Sequence, residues 1–136
     1  MAKVAVIGAG SWGTALAKVL HTNGNQVTVW SIVEAEIAML RERHEHVDKL
    51  PGVKLPEDME FTTDLKAAVE DKEYLILAVP SVFTRSTAKS MAPFVKAGQI
   101  FATQTMICPH PICLCWLCSL RLYKQNIHLV VLQNVQ

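Results

Sequence analysis

The sequence predicts an α/β fold, a doubly wound parallel sheet with helices on both faces. Three observations carry this. Short β-branched or apolar runs alternate with stretches of helical length, which is the pattern of βαβ units with right-handed crossovers. Two of the runs, KVAVI at residues 3–7 and YLILAV at residues 74–79, are apolar almost throughout, as befits strands covered on both sides. A glycine-rich turn, Gly8-Ala9-Gly10-Ser11-Trp12-Gly13, links the first run directly to the first helical stretch.

Taken in order, Lys3 to Ile7 is the first strand. Ser11 to Thr22 follows as a helix, with Leu16, Val19 and Leu20 on one face, and Asn23-Gly24-Asn25 stops it with residues that tolerate left-handed backbone. Gln26 to Trp30 is the second strand. Val33 to about Arg43 is a helix with Ile37, Met39 and Leu40 inside. The Pro-rich connection from Leu50 to Pro56 leads to a short strand at Met59 to Thr62. Asp64 is placed to cap a helix running to about Asp71. Tyr74 to Val79 is the next strand, ended by Pro80. A helix from Ser81 or Val82 to about Phe94 is closed by Pro93 and Gly98, and Gln99 to Ala102 is the fifth strand.

The chain has 136 residues, room for one domain, and 51% of them are apolar, enough for a core. A net charge of +1 gives no reason to expect nucleic acid or an anionic membrane as partner. No apolar stretch approaches the ~20 residues of a membrane span, and Met1 is followed by Lys3 and a strand pattern, not by a leader. The expected compartment is the cytoplasm. The composition has a seam. All acidic residues lie between Glu34 and Glu73, all glycines at or before Gly98, and all four cysteines between Cys108 and Cys118. The expected division is therefore a dinucleotide-binding domain over residues 1–103 and a tail over residues 104–136, with the composition of out-of-frame or poorly ordered sequence.

The glycine turn matches G-x-G-x-x-G, which alone is a weak signal. Its position after a strand and at the start of a helix makes it a strong one. Gly8 permits the tight turn, Gly10 lets backbone approach a pyrophosphate, and Gly13 lets helix and strand pack closely. The helix start then offers unpaired N–H groups and a positive dipole end to phosphate. This is a Rossmann-type dinucleotide site for NAD or NADP. The fingerprint's second half is a carboxylate about 20 residues on, at the end of the second strand, where it holds the ribose 2′-hydroxyl. Here that strand end reads Trp30-Ser31-Ile32, without a carboxylate, and Glu34 comes too late. Ser31 is the expected ribose contact, or a helix cap, or both. A neutral residue there predicts NADH and NADPH affinities within about tenfold of each other, ~1.4 kcal/mol.

Four segments then become specific: IGAGSWGTALA (residues 7–17), VTVW (27–30), KLPGVKLP (49–56) and LAVPS (77–81). In this order and spacing they resemble the N-terminal cofactor domain of the bacterial-type NAD(P)-dependent glycerol-3-phosphate dehydrogenases, over residues 1 to about 103. The resemblance implies an oxidoreductase that interconverts dihydroxyacetone phosphate and sn-glycerol 3-phosphate with NAD(P)H, supplying a phospholipid precursor. It implies cofactor contacts at Gly8, Gly10, Ser11, Trp12, Gly13, Ser31, Ile32, Val79 and Pro80, with Ser81 in the same loop. It implies a small phosphorylated substrate only in a full-length enzyme, and it allows a homodimer there.

The chain also departs from that pattern. The family carries a Lys after Ala-Thr at the end of the fifth strand, and this chain has Gln104 after Ala102-Thr103. The second, helical domain that brings the catalytic Lys and the substrate-phosphate ligands has no counterpart in residues 106–136. No catalytic residue is therefore assigned, and the chain alone is expected to be a truncated, inactive form. Two rival readings stand beside the first: another Rossmann dehydrogenase, of the hydroxyacyl-CoA or ketopantoate reductase type, and a non-catalytic NAD(P)-binding fragment. Cys108, His110, Cys113, Cys115, Cys118 and His128 suggest a zinc site, and Cys115 to Cys118 a redox pair. Crowding in one apolar run without glycine argues against both, so no metal is assigned. His44 and His46 fall in a charged patch and are expected on a solvated face.

Overall fold

A computed structural model of the chain describes residues 1–103 and 128–131. Strand β1 (Lys3–Ile7) forms the centre because its side chains are apolar on both faces. Val4 and Val6 point into one core, Ala5 and Ile7 into the other. The chain then winds through α1 (Ser11–Thr22), β2 (Gln26–Trp30), α2 (Glu34–Arg43), β3 (Glu60–Thr62), α3 (Leu65–Val69), β4 (Tyr74–Leu77), α4 (Ser81–Met91), a 3-10 turn at Ala92–Phe94, and β5 (Ile100–Thr103). A further strand, β6 (His128–Val131), pairs with β5. All pairings are parallel, and the order is β3-β2-β1-β4-β5-β6.

The boundaries differ from the sequence expectation by a residue or two. Strand β4 stops at Leu77 because the chain leaves the sheet after Ala78, whose N–H still donates to the Ile7 carbonyl at 2.8 Å. Strand β5 is shifted one residue later, to Ile100–Thr103. The larger difference is β6. The sequence reading ends the sheet at the fifth strand, yet the run His128-Leu129-Val130-Val131 adds a sixth. A β-branched run of this kind satisfies the open edge of a parallel strand.

The register places the ends of all strands in one row. Ile7 lies opposite Trp30 and Leu77, Trp30 opposite Thr62, Leu77 opposite Thr103, and Thr103 opposite Val131. Two cores flank the sheet. One gathers Val27, Val29, Ile37, Leu40, Leu55, Met59 and Phe61 under α1 and α2. The other gathers Leu75, Leu77, Val69, Met91, Val95 and Phe101 under α3 and α4. Asp64 caps α3 as expected, accepting from the Lys66 and Ala67 N–H groups at 2.9 and 3.3 Å, a contact worth ~1 kcal/mol.

Two packing expectations are corrected. Val19 is exposed, because α1 turns Gly13, Thr14 and Ala17 to the sheet and leaves Leu16 and Leu20 only half-buried. His46 does not lie on a solvated face: it is 1% exposed. The chain after α2 folds back over the start of that helix, and the His46 ring is enclosed with its Nδ1 accepting from the Lys49 N–H at 3.3 Å. His44 is half-buried and takes left-handed backbone, φ 48°, to close α2.

The tightest contact in the fold is the crossing of α1 over β1. A Cβ at Gly13 would stand 2.0 Å from the Gly8 carbonyl oxygen, and one at Gly8, where φ is +122°, would stand 2.7 Å from the Ala78 carbonyl oxygen. Neither neighbour is a flexible side-chain end. Gly13→Ala is therefore expected to cost ~3 kcal/mol or more, the upper range for one substitution. Thermal unfolding followed by circular dichroism checks this, and an unchanged melting temperature would contradict the packing.

Candidate functional site

The strand order reverses between β1 and β4, so helices leave on opposite faces there and a crevice opens at the carboxyl ends of the two strands. Both loops that border it run straight into helices. Gly10 precedes α1, and Pro80 precedes α4. Neither helix start has a side-chain cap, and neither has an acidic residue in its first turn. Helix α2 differs, carrying Glu34 and Glu36 in its first turn. The two helix starts that border the crevice thus present free N–H groups and uncompensated positive dipole ends, while the third is already neutralised.

The three glycines of the turn divide into two roles. At Gly8 and Gly13 the space a Cβ would need is taken by neighbouring backbone. A Cβ on Gly10 would meet nothing within 4 Å among the described residues. Gly10 also has ordinary extended backbone, φ −68° and ψ −179°, so the fold itself does not require glycine there. The open volume beside Gly10 lies at the start of α1, where an anion would be met by backbone N–H groups.

The structure brings the remaining expected site residues to the same edge. Ser11 and Trp12 are exposed on the first turn of α1. Ser31 and Ile32 follow β2. Ile32 is 80% exposed, whereas Ser31 is only 5% exposed. Val79 is half-buried against the core below α4, and Pro80 is exposed at the helix start. Val82 and Phe83, exposed on the first turn of α4, extend this apolar rim and were not singled out in the sequence. The cysteines and histidine of the suggested zinc or redox set, and Gln104, lie outside the described residues, as does the His128 side chain. Among the described residues there is no cluster of three or more metal-ligating side chains, and no helix is long and apolar enough to cross a membrane.

The sequence reading also missed a polar cluster at the end of β2. The Ser31 hydroxyl donates to Glu36 Oε2 at 2.7 Å and accepts from the Val33 N–H at 3.1 Å. Glu36 Oε1 pairs with the Lys49 ammonium and lies 3.7 Å from His46 Nε2, which has no hydrogen-bond partner among the described residues. Burial raises the Glu36 pKa, but the hydrogen bonds from Lys49 and Ser31 and the nearby positive charge outweigh it and hold the carboxyl below its usual value. The signal was present as an acid on the first turn of α2. It went unread because Lys49 is brought to it by a loop closed 13 residues later.

This architecture matches known proteins. Residues 3–106 fit the family model of the NAD-dependent glycerol-3-phosphate dehydrogenase N-terminus. The chain belongs to that family. It is 65% identical over 100 residues to the glycerol-3-phosphate dehydrogenase [NAD(P)+] of Agathobacter rectalis, covering 74% of this chain and 30% of the relative. It is 46% identical over 101 residues to that of Bacillus subtilis, covering 74% and 29%. The crystal structure of glycerol-3-phosphate dehydrogenase from Coxiella burnetii superposes with a TM-score of 0.79 at 26% identity, over 96% of this chain and 40% of that one. The chain thus spans about 30% of the length of the curated dehydrogenases it matches.

Carboxylates held by hydrogen bonds and ion pairs give this domain an acid limit. Glu60 is also held below the usual value, chiefly by the hydroxyl of Thr28 at 2.7 Å, with Lys72 adding to the effect against burial. For Glu36 and Glu60 the folded pKa lies below the unfolded value of 4.5. Their contribution is complete above 4.5 and is lost as pH falls through the lowered values. The melting temperature should therefore fall as pH drops below about 4.5, and Glu60→Gln should start lower and fall less. A pH-independent wild-type melt over that range would contradict the assignment.

Proposed function

We propose that this chain is the cofactor-binding part of an oxidoreductase that interconverts dihydroxyacetone phosphate and sn-glycerol 3-phosphate with NAD or NADP. Its setting would be the cytoplasm, where both the dinucleotide and phospholipid precursors are available. The observation that carries the reading is the contrast among the glycines: Gly8 and Gly13 are fixed by the fold, while Gly10 faces open space at an uncapped helix start. A fold needs the first two, and only a ligand needs the third. The names of the relatives support the reaction.

In this reading the N–H groups at the start of α1, with Gly10 and Ser11, hold the pyrophosphate. Trp12 covers the dinucleotide from the α1 side. Ser31 and Ile32 line the adenosine ribose, and Val79 and Pro80 face the nicotinamide half. The bound cofactor would supply or receive the hydride. The chain's own residues bind and orient it, and the apolar rim of Val79, Pro80 and Val82 excludes water from that end. The division at residue 103 belongs to this proposal: a family match that ends at residue 106 supports it, while β6 carries the sheet into the segment beyond.

Turnover requires more than these residues. Hydride transfer needs a carbonyl positioned within ~3–3.5 Å and in line, and a proton donor that contributes ~10²–10⁴-fold. The family Lys is replaced by Gln104, which carries no charge to offer a phosphate or an alkoxide. That substitution favours the second reading, an NAD(P)-binding fragment without catalysis, for the 136-residue chain by itself.

Two outcomes are expected. Gly10→Val should keep the wild-type melt, since its Cβ has room, and lose NADH binding measured by calorimetry, because the side chain fills the pyrophosphate position. Undiminished affinity in a folded Gly10→Val variant would remove the glycine turn from the site. With saturating dihydroxyacetone phosphate, NADH absorbance at about 340 nm should stay constant. A turnover above ~1 per second, an ordinary enzymatic rate, would show that this chain supplies the catalytic groups itself.

A further inference from the structure

The cluster of Ser31, Glu36, Lys49 and His46 is not needed to hold a dinucleotide in general, yet it sits where dinucleotide-binding folds tell NAD from NADP. Ser31 follows β2, next to the glycine turn: the Gly8 N–H donates to the carbonyl of Trp30, the residue before Ser31, at 2.8 Å. It stands 18 residues beyond Gly13, counted as 31 − 13 in the sequence, close to the fingerprint spacing of about 20 for a ribose-holding carboxylate. No carboxylate occupies the position itself. One reaches it from the first turn of α2 instead, through the hydroxyl of Ser31.

We propose that Glu36, acting through Ser31, is the residue that makes this site select NAD over NADP. A serine hydroxyl has one hydrogen and two acceptor lone pairs. Here the hydrogen is given to Glu36, and one lone pair is taken by the Val33 N–H. The Val33 N–H, which could otherwise bind an anion, is consumed by the same contact. What remains toward the ribose is one acceptor lone pair. A 2′-hydroxyl can donate to it. A 2′-phosphate carries only acceptors and negative charge, and it would meet a lone pair backed by a carboxylate.

The cations around this corner do not reverse that conclusion. Lys49 is engaged with Glu36 itself. Arg41 is engaged with the Phe61 carbonyl through Nε and Nη2, at 3.1 and 2.7 Å. His46 is buried, with its Nε2 turned toward Glu36. Ile32, the most exposed residue of the loop, carries no charge. The near-equality of NADH and NADPH expected from Ser31 alone therefore gives way, because the serine is not acting as a free hydroxyl. Glu36 works here as a positioning and specificity residue: it holds the Ser31 hydrogen, while its own charge is offset by Lys49.

This inference rests on the dinucleotide reading, and the experiment separates the two. Calorimetric titration of the full chain with NADH and with NADPH is expected to favour NADH by about 10- to 100-fold, the range of one mismatched hydrogen-bonding group. Glu36→Gln should narrow that ratio to within about threefold, mainly by tighter NADPH binding, since Gln carries no charge and its amide can donate. A second probe leaves the protein intact. NADH lacking the ribose 2′-hydroxyl should bind about tenfold more weakly than NADH. Failure to bind either cofactor would overturn the dinucleotide reading and this inference with it. Equal wild-type affinities, or a ratio unchanged in Glu36→Gln together with undiminished binding of the 2′-deoxy cofactor, would overturn the inference alone and leave the dinucleotide site standing.

Discussion

Much of this molecule depends on how closely helix α1 can approach strand β1. The Gly8 carbonyl and the Gly13 Cα are in contact with no space for a methyl group between them. That approach draws the helix start down to the level of the strand ends. Gly8, at φ +122° against the backbone of Ala78, makes the same approach toward β4. Three chain segments, the turn, the helix and the neighbouring strand end, are therefore locked together by the absence of two side chains.

The parallel register turns this local contact into a site. Because the strands end in one row, the loops after β1, β2 and β4 emerge side by side. The reversal of winding between β1 and β4 sends α1 and α4 to opposite faces and leaves space between their starts. Electrostatics then distinguishes the helices. Two start without cap or acid and point their dipoles into the crevice. The third has Glu34 and Glu36 at its start, with Glu36 paired to Lys49. The helix starts around the crevice thus differ in charge by composition alone.

The loop between α2 and β3 is the least regular part of the domain and is also fixed by specific bonds. Glu45 accepts from the Gly52 N–H at 2.9 Å and pairs with Lys54 at 2.6 Å, and the Leu55 N–H reaches back to the His44 carbonyl at 2.7 Å. These contacts return the chain across the start of α2, seat Leu55 in the core, and bring Lys49 to Glu36. The Leu50-Pro51-Gly52 segment therefore supports the corner at the end of β2, since Gly52 takes the left-handed backbone, φ 81°, that lets the loop turn.

The sequence by itself determined the elements and the tight glycine turn at the crevice. Those signals are local: strand runs are contiguous, and the roles of Gly8, Gly10 and Gly13 follow from three residues within one turn. Asp64 was legible as a cap for the same reason. What the sequence did not determine involved partners far apart in the chain. The burial of His46, the exposure of Val19, the pairing of β6 with β5 and the reach of Glu36 to Ser31 all depend on where a later segment returns. Periodicity fixes which residues share a face but not the rotation of a helix about its axis, and hydrophobic pattern marks a strand but not its edge partner. Ser31 is the clearest case. Its identity promised a neutral contact, and only the tertiary structure, by closing Glu36 and Lys49 around it, decided which way its single hydrogen points.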